Sequence, residues 1–184
     1  TENTKKVARC FYGLEQDRAD KKRYPAVNPI DSYSKYLEYP EFAQYMEEHI
    51  NGDWIPKVMR LKTRMQRGKE IAEQINILGD DGVPVDYHII FWKSEVIDFV
   101  LLQQDAFDEV DAVTPLERQE EILDLVTLIC NKDDYHFDTF LEATDYFKKM
   151  INLCKQMNYS EFKSEQYYDY IRQIKALLEV KSEK

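Results

Sequence analysis

Apolar residues recur at alternating spacings of four and three through Trp54, Val58, Leu61, Met65, Gly68, Ala72, Ile75 and Gly79. That spacing tracks one face of an α-helix and predicts a coiled-coil-like seam about seven turns long. Ile77 and Leu78 end it, and Gly79 suits a left-handed C′ position. Past Asp80-Asp-Gly-Val-Pro84 the same spacing returns at Ile89, Trp92, Val96, Phe99, Gln103 and Ala106. Two long helices joined by a tight Gly/Pro turn predict an antiparallel helical hairpin. Its tip, residues 79–86, carries Asp80, Asp81 and Asp86.

The flanks are weaker in pattern but punctuated. Residues 1–30 hold no sustained period: a short helical or irregular lead-in (Val7 to Gly13), a charged stretch (Asp17 to Arg23), then a loop pinned by Pro25 and Pro29. Helix starts are expected at Asp31 or Ser32, at Pro40, at the capping box Thr114-Pro115-Leu116-Glu117, at Asp138 and at Ser160. No segment alternates as a strand does. The expected fold is all-α, a bundle of about six to seven helices around the hairpin. Residues 1–30 form the lead-in and proline loop, and residues 31–184 the helical domain.

Composition narrows the function. The 184 residues carry a formal net charge of −10, which argues against wrapping nucleic acid. Only 5 Gly and 6 Pro favour helix over turn-rich sheet. Cys10, Cys130 and Cys154 fit neither a disulfide framework nor a metal pattern, and point to a reducing compartment. No apolar stretch reaches membrane-spanning length and no signal peptide is visible. The chain begins without an initiator Met or a cap signal, as a piece of a longer protein does.

Chemistry-bearing candidates are few. Gly68-Lys69-Glu70 is a poor echo of a phosphate loop, mid-helix and without the following Ser or Thr. His49, His88 and His136 lack partners at metal-ligand spacing. Asp105, Asp108 and Glu109 share a face of an expected helix end and are read as a solvated group rather than a metal site. Phe107, among polar neighbours, is either a core ring or a pocket wall. Tyr24 stands on the proline loop, where restricted backbone freedom suits a ring for stacking on a flat ligand.

Three motifs, in order, carry a resemblance: Arg23-Tyr-Pro-Ala-Val-Asn-Pro-Ile30, Ile77-Leu-Gly-Asp-Asp-Gly-Val-Pro84 and Leu102-Gln-Gln-Asp-Ala-Phe-Asp-Glu-Val-Asp111. Together they resemble the C-terminal helical domain of catalytic A subunits of V/A-type rotary ATPases, of the prokaryotic type. The resemblance implies adenine contacts from Tyr24, Gln104, Ala106 and Phe107, with Asp105 where the family has Asn. It implies a tip at Asp80, Asp81, Val83, Pro84 and Asp86 that touches the central shaft. ATP or ADP with Mg²⁺ would bind the intact subunit on a P-loop domain preceding these residues. This stretch alone would bind no cofactor, hold no metal or catalytic residue, and be inactive. Implied partners are a non-catalytic B subunit in an alternating hexamer and the shaft subunits. The complex would lie on the cytoplasmic face of the membrane, which this chain would meet only indirectly. Two other readings remain: a free-standing helical adaptor binding a partner helix through the hairpin, and a metal enzyme using residues 105–111.

Overall fold

The structure, a computed structural model, describes residues 2–50 and 52–179. The expected all-α architecture is what it shows. The hairpin is α4 (Trp54–Leu78) and α5 (Val85–Val96), joined by the 3₁₀ turn Asp80–Gly82. Packed around α5 are α6 (Leu116–Asn131) and α7 (Phe140–Tyr159), and α8 (Glu165–Glu179) lies against α7. Ahead of the hairpin come α1 (Glu2–Val7), α2 (Gln16–Asp20) and α3 (Pro40–His49), the last opened by Pro40 as expected. The core runs along α5, α6 and α7 through Val96, Ile97, Val126, Ile129, Phe147 and Met150. Cys130 and Cys154 belong to it.

The seam of α4 buries Leu61, Met65 and Gly68, and half-buries Trp54, Val58, Ala72 and Ile75. Ile71, off that seam, is fully buried too. Gly68 has a packing reason. A Cβ built on it would fall 2.2 Å from Ser94 Cβ, so the two hairpin helices touch there backbone to side chain. Its neighbour Lys69 is exposed. The Gly-Lys-Glu run is thus helix-contact chemistry with no phosphate cradle around it.

Several local expectations are corrected. The second seam does not stay α-helical to Ala106. The helix widens into a π turn over Ile97–Leu102 and stops, with the Gln103 N–H bonding Asp98 O at 3.0 Å. Gln103 and Ala106 therefore lie on a loop, and the acidic run is not a helix end. The lead-in, expected to be helical or irregular, holds a strand: β1 (Cys10–Phe11) pairs antiparallel with β2 (Tyr33–Ser34). Too short to show alternation, these strands are fixed by long-range pairing. The Asn28 Oδ1, rather than Asp31 or Ser32, organises the proline loop, accepting from the Ile30 and Asp31 N–H groups at 2.9 Å each.

Helix starts also shift. The box at Thr114 does not close; its hydroxyl donates to the Asp111 carbonyl, while Glu117 pairs with Lys163. Thr139 caps α7 by accepting from the Glu142 N–H, and Glu142 returns a bond to the Asp138 N–H. Ser164, and not Ser160, accepts from the first turn of α8, at the Tyr167 N–H. Each shift follows from which hydroxyl the backbone brings within reach of an unpaired N–H.

The Gly68–Ser94 contact yields a test. Gly68→Ala should destabilise the chain by about 1–3 kcal/mol, because the added methyl forces α4 and α5 apart. Urea unfolding of the two proteins measures it, and the companion change Gly68→Ala with Ser94→Gly should recover most of the loss.

Candidate functional site

The lead-in is joined to the hairpin by charge. Arg18, 6% exposed, forms a two-pronged pair with Asp98, 3% exposed, at 2.8 and 3.1 Å. Arg23 grips Glu95 with the same geometry at 2.7 and 3.0 Å and also reaches Asp98 at 2.6 Å. Burial opposes the Arg23 charge, yet the hydrogen bonds to Glu95 and Asp98 outweigh it and hold its pKa above the ordinary value. Its guanidinium also lies 4.8 Å from the centre of the Phe99 ring. The next residue is Tyr24.

Tyr24 is thereby held at the mouth of a cleft of about 470 Å³, a volume typical of small-molecule sites. Its carbonyl accepts from the Gln104 N–H at 3.1 Å, which joins the proline loop to the loop after the π turn. Tyr24, Gln104, Ala106 and Phe107, expected from sequence to share a site, all line this cleft. Tyr24 is 55% exposed and Phe107 99% exposed, so both rings are open to a ligand. Phe107 is a cleft rim and not a core ring. Gln104 is already engaged, its Nε2 donating to the Asp111 carbonyl at 2.6 Å.

The acidic loop has a structural role. Asp105 Oδ1 accepts from the Phe107 N–H at 2.9 Å, and Asp108 Oδ1 accepts from the Val110 and Asp111 N–H groups. Asp111 Oδ2 accepts from the Asp105 N–H at 2.6 Å. These carboxylates satisfy backbone donors of an irregular loop and so set where Ala106 and Phe107 stand. Burial pushes the Asp111 pKa up, partly countered by the Asp105 N–H.

Sequence reasoning missed the far wall. Phe99, Lys155, Asn158 and Tyr159 complete the cleft. The last three come from α7, some fifty residues from the loop, and no local pattern marks them. At the other end of α5, Asp80, Asp81, Pro84 and Asp86 are exposed at the tip, as expected, whereas Val83 is buried. Val83 therefore packs inward beneath the turn. His88 braces the turn, its Nε2 lying 2.9 Å from Asp80 O and its ring stacked on Phe140. Ile77 and Leu78, 82% and 61% exposed, add an apolar edge that the seam did not single out as a contact surface. The helical path from tip to cleft, residues 85–102, is roughly 25 Å long at about 1.5 Å per residue. Among the described residues no group of three or more His, Cys, Asp or Glu could hold a metal ion, and no helix is long and apolar enough to cross a membrane.

Residues 43–136 match the family described as the C-terminal domain of V and A type ATP synthase. The V-type ATP synthase alpha chain of Chlamydia pneumoniae is 36% identical over 97% of this chain, and that of Protochlamydia amoebophila 33% identical over 100%. The chain spans 30% of the length of each of these relatives. Among solved structures, an ATP synthase subunit, NeqB, from Nanoarcheaum equitans shares the fold over 71% of this chain and 30% of its own, with a TM-score of 0.52 at 18% identity.

Two predictions follow from the charges. Asp98→Ala leaves Arg18 buried without its partner and should cost about 3–5 kcal/mol in urea unfolding. Asp111 has a folded pKa above its unfolded one. Its stabilising contribution is thus full below the ordinary carboxylate pKa and is lost as pH rises through the folded value. Asp111→Asn keeps a carbonyl acceptor for the Asp105 N–H and removes that loss. It should be at least as stable as the parent at pH 7, with the advantage vanishing below about pH 4 in thermal melts.

Proposed function

The chain belongs to the family of C-terminal domains of V and A type ATP synthases, and from that premise we propose that it senses nucleotide occupancy and passes motion to a central shaft. It is the helical domain of a catalytic subunit of an H⁺- or Na⁺-translocating rotary ATPase. The observation that carries this reading is the convergence of Tyr24, Ala106 and Phe107 on one cleft.

Adenine stacks against Tyr24, with the Ala106–Phe107 loop closing on it from the other side. The two loops are joined at one point by the Gln104 N–H to Tyr24 O bond, which serves as the hinge of that closure. The phosphates bind elsewhere: the Gly-Lys-Glu run lies mid-helix in α4, with Gly68 filled by Ser94. In the intact subunit ATP with Mg²⁺ on a P-loop domain supplies the driving chemistry. This chain's residues bind and orient the base. Tyr24 is tied through Arg23 to Glu95 and Asp98, and those residues sit on the helical path whose far end is the tip.

Closure on the base thus swings the hairpin, and Asp80, Asp81, Pro84 and Asp86, with Ile77 and Leu78, press on the shaft. A tip that mixes carboxylates with an apolar edge fits a shaft surface bearing basic and apolar side chains. Such a subunit alternates with non-catalytic B subunits in a hexamer on the cytoplasmic face of the membrane.

In the assembled complex, Tyr24→Ala should raise KM for ATP on the order of tenfold or more, the worth of a lost base stack. Asp80→Lys with Asp81→Lys should leave KM unchanged and lower the number of ions moved per ATP hydrolysed. Paired measurements of ATPase rate and ion uptake distinguish the two effects. Unchanged coupling in the tip variant would remove the tip from the mechanism.

A further inference from the structure

Arg118 on α6 is 2% exposed, yet no carboxylate of the described residues forms an ion pair with it. Its Nη2 donates instead to the carbonyls of Met157, at 3.2 Å, and of Asn158. Both belong to the last turn of α7, where carbonyls lack helical partners and the negative end of the helix dipole lies. The guanidinium also lies 5.5 Å from the centre of the Tyr167 ring and 5.9 Å from that of Phe162. Tyr167 is tied in turn to α6, its hydroxyl donating to Glu121 at 2.9 Å. The Arg118 Nε has no partner among the described residues. A charge buried on those terms is costly, and an apolar side chain of similar volume often gives equal or greater stability. Packing alone therefore does not account for an arginine here.

Asn158, which Arg118 holds by its carbonyl, lines the cleft with its neighbours Tyr159 and Lys155. The loop of Ala106 and Phe107 hangs on Asp111, whose Oδ2 accepts from the Asp105 N–H and whose carbonyl accepts from Gln104 Nε2. Burial pushes the Asp111 pKa up; the Asp105 N–H and then the Arg118 charge hold it back, so Arg118 is within electrostatic reach of that loop as well. Arg118 itself does not line the cleft. We propose that Arg118 is a positioning residue of this site: without touching the ligand, it fixes the α7 wall against the Ala106–Phe107 loop. The inference rests on the adenine reading above and adds a residue outside the cleft that sets its width. Loss of Arg118 frees the last turn of α7, and the wall formed by Lys155, Asn158 and Tyr159 shifts with it. Binding of the base weakens, whereas the chemistry at the phosphates, carried out elsewhere, does not. A lysine at this position keeps the charge and can reach a carbonyl, but it lacks the planar face that lies against the two rings, so it restores the wall only in part.

The test measures kcat and KM for ATP in the full-length subunit within its complex. The parent, Arg118→Met, Arg118→Lys and Tyr24→Ala are compared at a temperature where thermal melts show each to be folded. Arg118→Met should raise KM on the order of tenfold and leave kcat within about twofold of the parent. Arg118→Lys should raise KM by about threefold, a partial rescue. Should Arg118→Met not fold, Arg118→Lys carries the test. A parental KM in the folded arginine variants, or a loss confined to kcat or to melting temperature, with Tyr24→Ala still raising KM, would overturn the positioning role and leave the adenine site standing. A Tyr24→Ala variant with parental KM would overturn the site itself.

Discussion

Two arginines from the lead-in and two carboxylates from the hairpin hold this structure in its functional arrangement. Arg18 and Asp98 are nearly out of water, and Arg18 could not stay there without its partner. Arg23 completes the network by pairing with both Glu95 and Asp98. Such a pairing contributes little net stability compared with apolar packing, but it tolerates almost no displacement, because every alternative strands a buried charge. The network therefore acts as a register pin between a strand-and-turn segment, residues 10–34, and the helix that runs to the tip.

The π turn gives that pin its target. It places Asp98 among buried residues and brings the helix to an end at Leu102. The chain then enters a loop whose shape is written in short carboxylate-to-amide bonds. One wall of the cleft comes from the pinned loop at Tyr24, one from this acidic loop, and one from α7. A ligand bridging the first two walls acts on parts already tied to α5, so its binding energy is delivered to a rigid element. That coupling is what a chemical-to-mechanical domain requires: a contact whose strength differs between open and closed arrangements.

How much was legible in sequence depended on the range of the deciding interaction. The hairpin was read from its own period, and Gly79 from the turn it had to make; its φ of 79° is one that side chains avoid, but its ψ of 162° puts it at the C-cap in an extended glycine conformation and not at the left-handed C′ position expected. That Tyr24, Ala106 and Phe107 share one cleft was legible because two short motifs mark them. The end of the second helix was not, because its apolar spacing continues past the point where the backbone changes to i→i+5 bonding. The acidic run read as a solvated helix face because its real partners are backbone N–H groups of its own loop. Asn158 and Lys155 were invisible, since only the packing of α7 against the π turn brings them to the cleft. Arg18 and Arg23 read only as part of a charged stretch; nothing local paired them with acids some seventy to eighty residues away.

The central claim is that nucleotide at Tyr24 is felt at Asp80 through Arg23. Hydrogen exchange of the full-length subunit with and without ADP, in the parent and in Arg23→Gln, tests it most directly. In the parent, ADP should slow exchange at residues 103–108 and change it at the tip, residues 77–86. In Arg23→Gln the slowing at residues 103–108 should persist and the change at the tip should disappear. A tip that still responds to ADP without Arg23 would contradict the account.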